Sequence, residues 1–72
     1  MDLNANIGTA LRNERSKRKL SLAEVADRMG YSSRNTVSKI ELGTTQITVE
    51  QLQKYCDAVG CSWVEILEKV SD

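Results

Sequence analysis

The sequence contains no proline and no histidine, and its four glycines are widely spaced. Without proline-rich or glycine-rich stretches there is no linker, repeat or low-complexity segment, and 72 residues allow one domain, 1–72, with a small core. The sequence also shows no glycine-rich phosphate loop and no cluster of metal ligands. Together with the absence of histidine, this argues against an enzyme. We therefore expect no catalytic residues, no metal site and no cofactor.

Long apolar runs and a secretory signal are also missing. No stretch is long enough to span a membrane, and the N-terminus lacks the basic, apolar and small-residue pattern of a signal peptide. Cys56 and Cys61 could in principle pair, but nothing resembles a disulfide scaffold, and both fit a reducing compartment. These absences predict a cytoplasmic protein without a membrane partner.

An excess of charge of one sign is absent as well. Ten Lys and Arg balance ten Asp and Glu, which by itself argues against a nucleic-acid-binding protein. The charges are unevenly distributed, however, because residues 1–39 contain eight basic and four acidic residues, whereas residues 40–72 contain two and six. One face could therefore be basic, although clustering along the chain need not be clustering in space.

Hydrophobic periodicity, capping residues and glycine positions predict an all-α chain of five helices. The first helix is expected from near Asn6 to Lys19, with Ile7 and Leu11 facing inward. The second is expected over about residues 22–29.

The second and third helices are separated by a glycine turn. Ser21 and Glu24 form a capping box at the start of the second helix, and Gly30 ends it. The third helix begins after Ser32 or Ser33 and ends before Gly43, which is placed as a C-terminal cap.

The third helix has two faces of different chemistry. Val37 and Ile40 face inward, whereas polar side chains occupy the opposite face. Arginine can donate two hydrogen bonds to guanine and asparagine can pair with adenine in the major groove of DNA. Any amphipathic helix also has a solvated polar face, which is the competing interpretation. As a group, the polar residues indicate base contacts with duplex DNA: Arg34, Asn35, Ser38 and Lys39.

Two more helices are predicted over about residues 49–70. Thr48 and Gln51 form a second capping box, and Ser62 and Glu65 form a third. The fourth helix carries an apolar stripe and ends at Gly60; the stripe consists of Val49, Leu52, Cys56 and Val59.

The last helix offers more apolar surface than so small a core needs. Tyr55 is expected in the core. The remaining apolar side chains predict a two-fold dimer interface: Trp63, Val64, Leu67 and Val70.

Several ordered motifs resemble the lambda-repressor-like helix-turn-helix family, also called the Cro or xenobiotic-response-element type, over roughly residues 7–68. They are Leu20-Ser21-Leu22-Ala23-Glu24-Val25-Ala26, Ile40-Glu41-Leu42-Gly43, and the segments 47–52 and 58–67. The resemblance implies a compact five-helix DNA-binding domain with the helix-turn-helix at about 22–42. One departure is the spacing from Gly30 to Val37, which is seven positions instead of the usual six, so the turn 31–33 is one residue longer.

The resemblance implies one ion pair, and basic residues and helix ends indicate further roles. An ion pair is expected between Arg15 and Glu41, fixing the third helix against the first. The basic run Arg12, Arg15, Lys17, Arg18 and Lys19 is expected to add a salt-sensitive attraction to DNA, or else to be a solvated helix face. Phosphate contacts are expected from Ser21 and Ser33 at helix starts and from Arg12 on the first helix. The loop after the third helix, with Thr44, Thr45 and Gln46, is expected to add contacts, and its alternative interpretation is an ordinary polar loop.

The function predicted from these residues is a sequence-specific transcriptional regulator that binds double-stranded DNA. We expect a homodimeric repressor or autoregulator on a two-fold-symmetric operator, with no small-molecule effector. A repressor of phage or mobile-element origin, a restriction-modification controller and an antitoxin-type autoregulator fit equally well. The alternative is a helical protein-interaction module with weak or no DNA binding, which the neutral net charge supports.

Overall fold

The computed structural model describes residues 3–71 and confirms the all-α architecture. The five helices are α1 (Leu3–Lys17), α2 (Leu22–Met29), α3 (Arg34–Leu42), α4 (Val49–Val59) and α5 (Trp63–Val70). The chain forms no strand within these residues. Helix α1 is central, since it packs against α3, α4 and α5, while α2 packs against α3 and α4.

The predicted bounds of α1, from near Asn6 to Lys19, are wrong at both ends. The helix ends at Lys17 because Lys19 adopts a left-handed φ of 56° and the Leu20 N–H donates to the Arg15 carbonyl at 3.2 Å. At the other end the helix begins at Leu3. There the Asn4 side chain accepts a hydrogen bond of 3.3 Å from the backbone N–H of Ile47, which ties the first turn to the loop before α4.

The helix-turn-helix forms as the capping pattern predicts. The Ser21 side chain accepts from the Glu24 N–H, and the Glu24 carboxylate accepts from the Ser21 N–H, so the capping box is complete. Gly30 has a φ of 82° and ends α2, while Gly43 has a φ of 73° and ends α3. Both conformations are left-handed, which favours glycine because a Cβ would be strained there.

The core lies between all five helices and includes Tyr55, as predicted. Its buried hydrophobic members are Ile7, Leu11, Val25, Ala26, Met29, Val37, Ile40, Leu52, Tyr55, Cys56, Val59 and Ile66.

Two expectations about the C-terminal helices are wrong. Val49 does not join the buried stripe of α4: it is the first residue of the helix, lies beyond the core cluster and is 64% exposed. The third capping box does not form, because the Ser62 side chain makes no cap hydrogen bond. Helix α5 is instead held by its buried Ile66. The second box, at Thr48 and Gln51, is present.

Helices α1 and α3 approach each other at Gly8. This residue is buried, and a Cβ built on it would lie 2.6 Å from the Ile40 carbonyl oxygen and against the backbone of Glu41. Such a distance is too short for a contact between a carbon and an oxygen atom, so only glycine allows the two backbones to pack this closely. The position of α3 is therefore set directly by the backbone of α1.

Candidate nucleic-acid interface

Helix α3 presents its polar residues away from the core. Val37 and Ile40 are buried against α1 and α2, so the opposite face is turned to solvent. Arg34, Asn35 and Lys39 are exposed there, and Ser38 is half-buried. Since α3 is capped at both ends, these side chains project from a rigid element.

Arg12 reaches the same surface from α1. A shallow groove between α1, α2 and α3 is lined by Arg12, Arg15, Leu22, Ser38, Glu41 and Leu42. The structure therefore brings together one predicted phosphate contact, Arg12, and one predicted base contact, Ser38. Leu42, which the sequence analysis did not single out, is an exposed aliphatic side chain at the rim of this groove.

The two predicted phosphate-binding serines differ in their surroundings. The Ser21 oxygen accepts from the Glu24 N–H at 3.0 Å, and the Glu24 carboxylate lies against the Ser21 N–H at 3.2 Å, which places a negative charge at the start of α2. The Ser33 oxygen accepts from the Asn35 N–H at 3.1 Å, and the first turn of α3 contains no acidic residue. Because an anion is repelled by a neighbouring carboxylate, the start of α3 is the better place for a phosphate.

The loop after α3 is only partly available for DNA contacts. The Thr44 hydroxyl donates to the Lys39 carbonyl at 3.3 Å, and the Thr44 N–H donates to the same oxygen at 3.2 Å. Its hydroxyl proton is therefore used within the protein. Thr45 and Gln46 are exposed.

An ion pair joins Arg15 and Glu41, as the sequence analysis expected. Arg15 Nε lies 2.7 Å from Glu41 Oε2 and Nη2 lies 3.0 Å from Oε1, which makes the pair bidentate. Arg15 Nη1 also donates to the Leu20 carbonyl at 2.8 Å, just before α2. The hydrogen bond to Glu41 raises the pKa of Arg15 above its usual value.

Tyr55 takes part in this network, which the sequence analysis missed. Its hydroxyl donates to Glu41 Oε2 at 2.5 Å and also lies 3.3 Å from the Leu11 carbonyl. Burial and the hydrogen bond to Glu41 raise the pKa of Tyr55, so the hydroxyl stays protonated and acts as a donor. The sequence showed Tyr55 only as an apolar core residue, because no local spacing relates it to Glu41.

Two residues of the basic run on α1, Lys17 and Arg18, pair with a buried carboxylate while remaining partly exposed. Glu14 is buried and accepts from Arg18 at 2.9 Å, Lys17 at 3.0 Å and Lys69 of α5 at 3.1 Å. Hydrogen bonds from Arg18, Lys17 and Lys69 lower the pKa of Glu14 from 4.5 to about 2. The spacings i+3 and i+4 from Glu14 could have signalled the first two partners. Lys69 is 55 residues away and gives no such signal.

The predicted dimer surface on α5 is mostly uncovered. Trp63, Val64 and Leu67 are 37%, 46% and 37% exposed, whereas Val70 is half-buried and packs against the core.

Residues 3–71 include no helix long and apolar enough to cross a membrane, and no group of three or more potential metal ligands. Cys56 and Cys61 are free thiols, and burial raises the pKa of Cys56 to about 12.

Comparisons with known proteins identify the family. A family model described as helix-turn-helix matches residues 11–66. No curated protein sequence matches the chain.

Among solved structures, the clp gene regulator ClgR from Corynebacterium glutamicum has a TM-score of 0.90 and 29% identity, covering 96% of this chain and 88% of that chain. The restriction-modification controller protein C.AhdI from Aeromonas hydrophila has a TM-score of 0.81 and 26% identity, covering 90% and 96%. A mutant of C.Esp1396I bound to its highest affinity operator site has a TM-score of 0.82, covering 97% and 91%; at 17% identity it shows a common fold alone. The chain therefore belongs to the lambda-repressor-like helix-turn-helix family of DNA-binding transcription regulators.

Proposed function

We propose that the protein is a sequence-specific transcriptional regulator that binds double-stranded DNA with α3 in the major groove. The observation that carries the proposal is the outward face of α3, where Arg34, Asn35 and Lys39 are exposed on a helix whose inner face is buried. Arg34 is suited to guanine and Asn35 to adenine, each contact contributing about 1–3 kcal/mol of discrimination. Ser38 and Lys39 extend the base-reading surface.

Phosphate contacts flank this surface in the proposal. Ser33 and the N-terminal turn of α3 bind one phosphate, and Arg12 binds another from across the groove. Thr45 and Gln46 follow the DNA backbone beyond α3. Ser21 and Thr44 contribute less, because the Glu24 carboxylate lies beside Ser21 and the Thr44 hydroxyl is engaged with Lys39.

A homodimer on a two-fold-symmetric operator is the second part of the proposal. One α3 helix reaches only a few base pairs, so paired half-sites are needed for a specific complex. The exposed side chains Trp63, Val64 and Leu67, with Val70 at their edge, supply an apolar surface for a second copy. Such a dimer acts in the cytoplasm as a repressor or autoregulator.

Selection from a random duplex library at low and physiological salt tests the DNA-binding part. We expect a two-fold-symmetric motif whose enrichment survives at physiological salt. Arg34→Ala and Asn35→Ala should each reduce the affinity for that motif by about tenfold or more. The matched controls are Lys54→Ala and Gln53→Ala, which remove a cation and an amide from the exposed surface of α4.

Sedimentation analysis tests the dimer separately. Trp63→Ala and Leu67→Ala are expected to shift the protein toward monomer, whereas Val49→Ala, an exposed aliphatic change on α4, is expected to leave the oligomeric state unchanged. A monomeric wild-type protein at micromolar concentration would contradict the dimer.

A protein-interaction module is the alternative, and the neutral net charge favours it. Binding without an enriched motif, abolished by salt, would leave only a generic basic surface. No DNA binding at either salt concentration would support the alternative.

A further inference from the structure

The carboxylate of Glu41 is held from two sides. Arg15 of α1 donates to both of its oxygens, at 2.7 and 3.0 Å, and Tyr55 of α4 donates to Oε2 at 2.5 Å. Glu41 is nearly buried and Tyr55 is completely so. Hydrogen bonds to a charged group are stronger than those between neutral groups, and a buried carboxylate deprived of one donor is poorly compensated.

Tyr55 links two helices that otherwise have little contact. Helix α3 packs against α1 and α2, and the closely packed helix pairs do not include α3 with α4. Within residues 3–71, the bond from Tyr55 to Glu41 is the side-chain hydrogen bond that joins these two helices. Glu41 is the eighth of the nine residues of α3, so the bond acts at the end of the helix opposite to Arg34 and Asn35.

The donors around Glu41 bear on the orientation of α3 as well as on its position. The Arg15 fork alone would tie the carboxylate to α1. The third donor comes from α4, so the donors approach Glu41 from two different helices. The rotation of α3 about its own axis, which decides where the base-reading side chains point, is thereby restrained.

We propose that Tyr55 is a positioning residue for DNA recognition, which acts through Glu41 to fix the orientation of α3. This inference rests on the proposed function, since it assigns a role in the same DNA-binding surface. It differs from a role in stability alone, because the phenyl ring fills the core whether or not the hydroxyl is present.

Tyr55→Phe is the decisive variant, since it keeps the ring and removes only the hydroxyl. Binding is measured against the selected operator duplex and against a scrambled duplex of the same length, at a temperature where circular dichroism shows the variant fully folded. We expect operator affinity to fall about tenfold, with affinity for the scrambled duplex unchanged within about twofold, because phosphate contacts do not depend on the orientation of the base-reading face.

Val59→Ala is the matched control, because Val59 is a buried residue of the same helix and its removal destabilises the core. At a temperature where this variant is fully folded, we expect the ratio of its affinity for the operator duplex to its affinity for the scrambled duplex to equal that of the wild type. In a Glu41→Ala background, Tyr55→Phe is expected to have no further effect on that ratio, since the bond partner is already absent. Backbone amide shifts of residues 34–42 should change more in Tyr55→Phe than in Val59→Ala.

Two failures can be told apart. If the wild-type protein selects no motif, the proposed function fails and this inference fails with it. If the wild-type protein selects a motif and Tyr55→Phe keeps the wild-type ratio, or changes it no more than Val59→Ala does, the proposed function stands and the role of Tyr55 is refuted.

Discussion

Gly8→Ala tests whether backbone contact between α1 and α3 sets the position of α3. The added Cβ would lie 2.6 Å from the Ile40 carbonyl oxygen and comparably close to the backbone of Glu41. The atoms it meets are backbone, so no side chain can rotate out of the way. The two helices must separate, or the variant must lose packing around Ile40 and Val37.

Two effects of this substitution oppose each other. Alanine within a helix is favoured over glycine by about 0.5–1 kcal/mol. Overpacking a core contact costs about 1–3 kcal/mol, and a rigid contact with two carbonyl groups belongs at the upper end of that range. We therefore expect the free energy of unfolding to fall by about 2–2.5 kcal/mol, which corresponds to a decrease in Tm of roughly 8–20 °C for a domain of this size.

Urea and thermal unfolding measure the effect, with Gly30→Ala as the control. Gly30 has a φ of 82°, but no atom lies within 4 Å of the position that a Cβ would take there, so alanine adds backbone strain of about 1 kcal/mol and no clash. Gly8→Ala should additionally shift the backbone amide signals of α3 in NMR spectra. Gly30→Ala should leave the amide signals of the C-terminal half of α3 unchanged. If Gly8→Ala is as stable as the wild type or more so, the proposed close packing of the two backbones is refuted.

Three further predictions concern single residues. In a double-mutant cycle, Arg15→Ala and Glu41→Ala should couple by at least about 1 kcal/mol in unfolding free energy, because each leaves the other's charge unpaired; additive effects would contradict the pair. The folded-state pKa of Glu14, about 2, lies below its ordinary 4.5, so its contribution is complete above pH 4.5 and is lost as the pH falls toward 2. The shift corresponds to about 3 kcal/mol before solvent screening, and we expect wild type to exceed Glu14→Gln in unfolding free energy by about 1–2 kcal/mol at about pH 6. The gap should narrow below about pH 4.5 and close as the pH falls through about 2; a constant gap would refute this linkage. Thr48→Ala should cost about 1 kcal/mol in unfolding free energy, whereas Ser62→Ala should cost little, since only Thr48 forms a side-chain cap; equal losses would show that the two caps do not differ.

The local features of the fold were predictable from the sequence because their causes are local. The capping box at Ser21 and the left-handed Gly30 and Gly43 depend on residues within one turn of each other. The same rule failed at Ser62, where the residues of a capping box are present but the hydrogen bond is not. Helix α5 is anchored instead by buried Ile66, by Val70 against the core and by the contact of Lys69 with Glu14.

The long-range contacts were predictable only in part. The pair of Arg15 with Glu41 was expected from a family resemblance and is present. The third donor to Glu41, from Tyr55, and the contact of Lys69 with Glu14 join residues that no periodicity relates. Such contacts depend on how whole helices pack, which a single sequence does not specify.

The two buried carboxylates change how the charge of this chain is to be understood. The sequence concentrates eight cations in residues 1–39, but Glu14 and Glu41 engage Arg15, Lys17 and Arg18 within the protein. Arg12, Arg34 and Lys39 form no ion pair with a carboxylate of the described residues, and they lie on α3 and at its neighbouring groove. Five of the eight cations, which include Lys19 and Arg28, thus remain unpaired with a described carboxylate and can attract phosphates independently of sequence. Such attraction does not distinguish one sequence from another, so under the proposed function operator specificity depends on base contacts from Arg34 and Asn35 and hence on the orientation of α3.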